Sequence, residues 1–215
     1  MKRIVVFDIE TIPDLSPELH DRMASALKPR KGTKDEAKIL AQLAEKRTAI
    51  AEGAALSPLT GQVCAIGLAH RERRDDGAAV AWELDCLTAE EGGEAALLCE
   101  CAGYLDGVDA FFVGFNSRSF DLPFLAARAA LNGVKFSPRF PSPADWRAHL
   151  DLMDFFPGKL DHWAYRVLGE GKSGDGSDVT QLVIEGRWQE LAAYCANDVR
   201  LTCALYDLIA PVIHH

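Results

Sequence analysis

Residues 1–15 read MKRIVVFDIETIPDL, and this stretch decides the fold. Residues 3 to 9 read as one continuous strand, apolar from Ile4 to Phe7 and again at Ile9, which predicts burial on both faces. Two acids, Asp8 and Glu10, fall at alternating positions near its end. Strand side chains alternate between faces, so residues two apart point the same way, and Ile9 points into the opposite layer. Two neighbouring carboxylates repel, and one must take up a proton unless a cation sits between them. Burying even one unpaired charge costs several kcal/mol. A divalent cation meets the need, because Mg²⁺ takes hard oxygen ligands and commonly binds one or two protein carboxylates. Two solvent-facing acids at a frayed strand end remain the simpler alternative on this pattern alone.

Working outward, residues 14–33 read as irregular, with Pro17, Pro29 and a basic cluster around Lys28, Arg30, Lys31 and Lys34. Residues 34–52 carry Ile39, Leu40, Leu43 and Ile50 at helical spacing, and Gly53 stops that helix. QVCAIGLAH (62–70) and VAWELDCL (80–87) read as two arms of a hairpin with a charged tip at 71–77. A helix is predicted over 91–105, a buried strand over 109–115 and a helix over 119–132. HLDLMDFF (149–156) predicts a shorter strand. Helices follow at 159–168 and 186–209, separated by a Gly- and Asp-rich loop at 169–178. Hairpin-linked strands followed by alternating helices and strands predict a mixed α/β sheet with the first strand central.

The chain has 215 residues, enough for one domain with an insertion, and 48% of them are hydrophobic, ample for a core. We take residues 1–213 as a single domain, with 28–55 as an insertion. A formal net charge of −9 argues against coating nucleic acid by bulk electrostatics. It leaves room for an enzyme that grips a few phosphates through metal ions. The six cysteines show no paired spacing beyond Cys99 and Cys101. On a helix those two thiols point about 200° apart, which disfavours a shared metal. Buried, reduced thiols in a cytoplasmic protein are the expectation. No window is apolar enough to span a membrane. His214 and His215 are given no role.

Two further stretches carry acids. GFNSRSFDLPFL (114–125) follows the 109–115 strand and enters a helix, which is where open α/β sheets place ligands. Alone, Asp121 reads equally well as a helix cap and Asn116 as a turn residue. LAAYCANDVRLTCALY (191–206) places Tyr194 and Asp198 one turn apart on one helix face, beside an apolar stripe of Leu191, Cys195, Val199, Thr202 and Leu205. Alone, that pair could be a mutual hydrogen bond or a surface pair.

Taken together and in this order, Asp8, Glu10, Asp121, Tyr194 and Asp198 resemble the DEDD exonuclease superfamily (DnaQ-like, ribonuclease-H-like), the fold of polymerase proofreading domains. The Tyr194-Cys-Ala-Asn-Asp198 spacing matches its tyrosine-bearing DEDDy subgroup; a histidine at the position of Ala193 would mark the other. The wording FDIET, FNSRSFDLPF and YCANDV is most similar to the proofreading exonuclease of family B DNA polymerases and to stand-alone bacterial relatives. The likeness runs from residue 3 to about residue 206 and is interrupted at 28–55.

The resemblance implies a ribonuclease-H-like mixed five-stranded sheet flanked by helices, with a helical insertion after the first strand. It implies a 3′-5′ exonuclease that uses two divalent ions, Mg²⁺ or Mn²⁺. Such an enzyme releases nucleoside 5′-monophosphates from single-stranded 3′ ends, DNA for preference, with DNA repair, RNA turnover and scavenging of short oligonucleotides as the open settings. Asp8 would bridge the ions, Glu10 and Asp198 would complete the site of the attacking water, Asp121 would serve the second ion, and Tyr194 would position the water. Thr11 and Asn116 would contact the terminal nucleotide. Ile12, Leu15 and Phe120 would wedge or stack against bases, with core packing as the alternative. Lys172 would touch a phosphate. Its loop, LGEGKSGDGSD, is no P-loop, because Arg166 stands where the first glycine belongs and a helix precedes it. The competing expectations are a 3′-5′ exoribonuclease or oligoribonuclease, and a catalytically silent nucleic-acid-binding domain of the same fold.

Overall fold

A computed structural model describes residues 3–14, 16, 19, 22–23, 25–33, 35–73, 80–142, 147–171 and 178–213. Leu15, Lys172, His214, His215 and most of the hairpin tip lie outside the described residues. By contacts the chain divides into two compact units, Met1–Glu10 with Val63–His215, and Thr11–Gln62.

The larger unit is built on a five-stranded sheet in the order β3-β2-β1-β4-β5. The strands are β1 (Arg3–Pro13), β2 (Gly61–Glu72), β3 (Glu83–Thr88), β4 (Ala110–Gly114) and β5 (His149–Asp151). β1 is central, as its unbroken apolar run requires, and β4 and β5 run parallel to it and to each other. β2 and β3 are antiparallel, so the sheet is mixed. This is the expected ribonuclease-H-like α/β architecture.

Helices cover both faces. Val5, Phe7 and Ile9 of β1 join one core cluster with α2 (Gly93–Tyr104) and α3 (Asp121–Leu131), through Leu97, Leu98, Leu122, Phe124 and Leu125. Ile4 and Val6 join a second cluster with α4 (Leu160–Leu168) and α6 (Trp188–Ile213), through Leu160, Val199, Leu201 and Leu205. The alternation along β1 thus sorts side chains between two layers. Asp8 and Glu10 share parity with Ile4 and Val6, which puts them on the α6 side.

Two elements differ from the sequence expectation. The strand expected over 149–156 stops at Asp151, because the Asp151 carboxylate accepts from the Met153 N–H at 3.0 Å and starts a 3-10 turn over Leu152–Asp154. A short helix, α5 (Val179–Ile184), precedes α6 where no helix was expected. The cysteine expectation also needs adjusting: Cys64, Cys101, Cys195 and Cys203 are buried free thiols, Cys86 is half-buried, and Cys99 is exposed.

The smaller unit holds α1 (Glu36–Gly53), the helix inserted after β1. Asp35 caps it by accepting from the Lys38 N–H at 3.1 Å. The chain then turns through Ala54–Leu56, where the Thr11 hydroxyl donates to the Ala55 carbonyl at 2.7 Å and the Thr60 hydroxyl to that of Ala54 at 2.9 Å. Gly61 closes the turn, since a Cβ there would stand 2.8 Å from the Ala54 carbonyl oxygen. Among the described residues no helix is long and apolar enough to cross a membrane.

Candidate active site

Register places the acids. β1 pairs with β4 from Arg3 opposite Ala110 to Val6 opposite Val113, and β4 ends one residue later. The continuation of β1 through Asp8, Ile9 and Glu10 therefore passes beyond the carboxyl end of β4, the edge where parallel sheets place ligands. There the Ile9 N–H donates to Asp121 Oδ1 at 3.1 Å. Asp121 is 2% exposed and opens α3, while Phe120 holds the cap position without a side-chain bond. The acid thus reaches across to the β1 backbone, beyond the role of a local cap.

The link from β4 to α3 is held from β5. Asp151 is buried and accepts the Asn116 N–H on Oδ1 and the Arg118 N–H on Oδ2, both at 2.8 Å. Asn116 takes a left-handed φ of 63°, a conformation asparagine tolerates better than most residues. Buried Ser117 and His149 meet at 2.8 Å through Oγ and Nε2. A side chain on Gly114 would collide with Ser117, so glycine lets this loop fold tightly. Asp151 and His149 carry no role in the sequence reading. The alternation that singles out Asp8 and Glu10 is also present in His149-Leu-Asp151, two polar groups on one face of a short strand.

On the other layer, α6 approaches the sheet over Gly67. A Cβ at that glycine would stand 2.6 Å from Val199 Cγ2 and 2.9 Å from Cys195 Sγ. Close approach brings Cys195 to the acids: one carboxylate oxygen of Asp8, one of Glu10 and the Cys195 sulfur all lie within 4.8 Å of one another. Asp8 and Glu10 are half-buried, and Cys195 is fully buried. Tyr194 is 8% exposed and Asp198 2%, and both flank Cys195 on α6. A hydrogen bond with Cys86, burial, and the negative charges of Asp8 and Glu10 hold the Cys195 thiol well above its ordinary value. Cys64, on β2, donates from Sγ to the Glu10 carbonyl at 3.4 Å.

Asp8, Glu10 and Cys195 are gathered; Asp121 is joined to the same strand segment through Ile9; Tyr194 and Asp198 arrive on the helix that delivers Cys195. Asn116 is half-buried on the Asp151-held loop. Phe120 is partly buried against the first core cluster, with its ring 5.4 Å from that of Phe124. Thr11 and Ile12 belong to the smaller unit, where Ile12 is 2% exposed. Two hard carboxylates converging on one side of a strand fit a hard divalent cation. The neutral thiol beside them is a soft group that such an ion does not prefer.

Sheet order and layers define a ribonuclease-H-like α/β fold. The chain belongs to the family of predicted 3′-5′ exonucleases related to the exonuclease domain of PolB, whose model matches residues 57–210. The match takes in Asp121, Tyr194 and Asp198 and begins after Asp8 and Glu10. Among solved structures, the fold is shared with the family B DNA polymerase from the hyperthermophilic archaeon Pyrobaculum calidifontis, with a TM-score of 0.59 and 20% identity. That alignment covers 98% of this chain but 25% of the polymerase, so the chain spans about a quarter of that protein's length. No curated protein matches the chain.

Proposed function

We propose that the chain is a metal-dependent exonuclease that shortens single-stranded DNA from the 3′ end and releases nucleoside 5′-monophosphates. The gathering of Asp8 and Glu10 on the α6 side of β1, beyond the end of β4, carries this reading. We assign Asp8, Glu10, Asp121 and Asp198 to holding two divalent ions, Mg²⁺ or Mn²⁺. Bound there, such ions acidify water and neutralise charge on the phosphate.

The chain's own residues supply the rest. Asp121 fixes the end of β1 through the Ile9 N–H, which keeps Asp8 and Glu10 at the mouth of the site. Tyr194 orients the attacking water; a phenol is a poor base near neutrality, so its service is positional. Asn116, on a loop pinned by Asp151, meets the terminal nucleotide. Thr11, Ile12 and Phe120 are assigned to the strand being degraded, and Lys172 to a phosphate. We treat residues 1–213 as one exonuclease domain carrying the 28–55 insertion.

End-labelled single-stranded DNA and RNA, incubated with Mg²⁺ or Mn²⁺, test the reading. DNA should shorten stepwise from its 3′ end, and chelator should stop it. Asp8→Asn should lower the rate by on the order of 10³-fold, the equivalent of the several kcal/mol a bound metal supplies. Full activity in Asp8→Asn and Asp198→Asn, or purely internal cutting, overturns the proposal. Faster digestion of RNA would reassign the substrate.

A further inference from the structure

Cys195 has a second neighbour besides the acids. Gly67 on β2 lies opposite Cys86 on β3 in the antiparallel register. Residues opposed in this way project from the same face, with Cβ positions about 4.5–5.5 Å apart. At Gly67 that position has no side chain, and the Cys195 sulfur sits 2.9 Å from where its Cβ would be. The Cys86 side chain therefore rises beside the space that Cys195 fills. Cys86 is half-buried and Cys195 is fully buried, so an oxidant from solution meets Cys86 first.

We propose that Cys86 and Cys195 are a modification site, an oxidisable thiol pair that closes to a reversible disulfide under peroxide. Hydrogen peroxide converts the Cys86 thiol to a sulfenic acid and leaves as water. The Cys195 sulfur then attacks the Cys86 sulfur, the S–O bond breaks, and a second water departs with the Cys195 proton. Two thiols are oxidised and one peroxide is reduced to two waters. A dithiol reductant reverses the bond by exchange. Closure needs Cβ atoms about 3.5–4.5 Å apart.

The bond draws the Cys195 sulfur toward β3 and away from Asp8 and Glu10. Its effect on cation binding rests on the proposed metal site; the crosslink itself does not.

The test uses the full chain with Cys99→Ser, which removes the exposed thiol that would link separate molecules. After peroxide and then alkylation under denaturing conditions, two thiols should be lost from the count. Peptide mapping should show a Cys86–Cys195 crosslink that dithiothreitol reverses. Cys86→Ala, at a half-buried site, should abolish the link, as should Cys195→Ala. A Cys64–Cys86 crosslink overturns the proposal, and so does Cys86 ending as a sulfinic acid while Cys195 stays alkylatable. If the crosslink forms, the thiol pair stands whether or not the reduced chain binds Mn²⁺, and the proposed cation site is judged by that binding alone.

Discussion

Glu94 and the Asp8–Glu10 pair are acids in two sheltered settings, finished in different ways. Glu94, on α2, is surrounded by donors: Oε1 accepts from the Val63 N–H at 2.7 Å and from Arg128 Nε at 2.8 Å. Oε2 accepts from Arg128 Nη2 at 2.6 Å and from Asn132 Nδ2 at 2.9 Å. The Glu94 and Arg128 side chains are 7% and 10% exposed. A forked, nearly buried ion pair of this kind holds together because its lone pairs are met by donors. It ties β2, α2 and α3. At the far end of β1 the gathered trio is two acids and a thiol. Glu94 is matched with a cation of the chain and acts structurally, whereas Asp8 and Glu10 gather beside one another and are the pair we assign to a cation from solution.

Removing Glu94 should give the largest loss of stability. Glu94→Ala leaves Arg128 buried without its counter-charge, at a cost of about 3–5 kcal/mol in urea unfolding. Added Mn²⁺ should not restore the loss; if it does, the two settings are not distinct.

Asp151→Asn comes next. An amide keeps one acceptor oxygen where the carboxylate uses both for the Asn116, Arg118 and Met153 N–H groups. Leaving a buried donor unmet costs about 1–3 kcal/mol. Stepwise digestion should slow through misplacement of Asn116, while Mn²⁺ affinity holds. A parallel loss of affinity would place Asp151 nearer to the ion than the loop-holding role assigns.

The smallest effect concerns acids buried as neutral groups. Burial and the nearby Glu100 push the Cys101 thiol up to about 12 from an ordinary 9.0. The folded chain keeps this proton after the unfolded chain has lost it. Stability is therefore full below pH 9.0 and falls as pH climbs from there toward about 12. Urea midpoints on either side of 9.0 should show that slope, and Cys101→Ala should make it shallower, with the buried Cys64, Cys195 and Cys203 thiols keeping the remainder.

Much of this was legible in the order of residues. The unbroken apolar run of β1 predicted a central strand, and its two-residue alternation put Asp8 and Glu10 on one face. The Tyr194–Asp198 spacing predicted one face of a helix, and both lie buried on α6. What stayed hidden depends on the partners particular side chains take, one of them local and the others distant in sequence. The length of β5 is set by the Asp151 side chain turning back on Met153, which its apolar surroundings do not reveal. The position of Cys195 depends on a glycine in β2, so its residue type alone gave it no part. The backbone service of Asp151 to Asn116 and Arg118 arises only when β5 pairs with β4.

Calorimetric titration of Mn²⁺ into the full chain, and into an Asp8→Asn, Glu10→Gln variant of equal melting behaviour without metal, tests the cation site most directly. The wild-type chain should bind, and the variant should bind at least about tenfold more weakly, the loss of about 1.4 kcal/mol or more. Superimposable isotherms would contradict the assignment of these two acids to a metal.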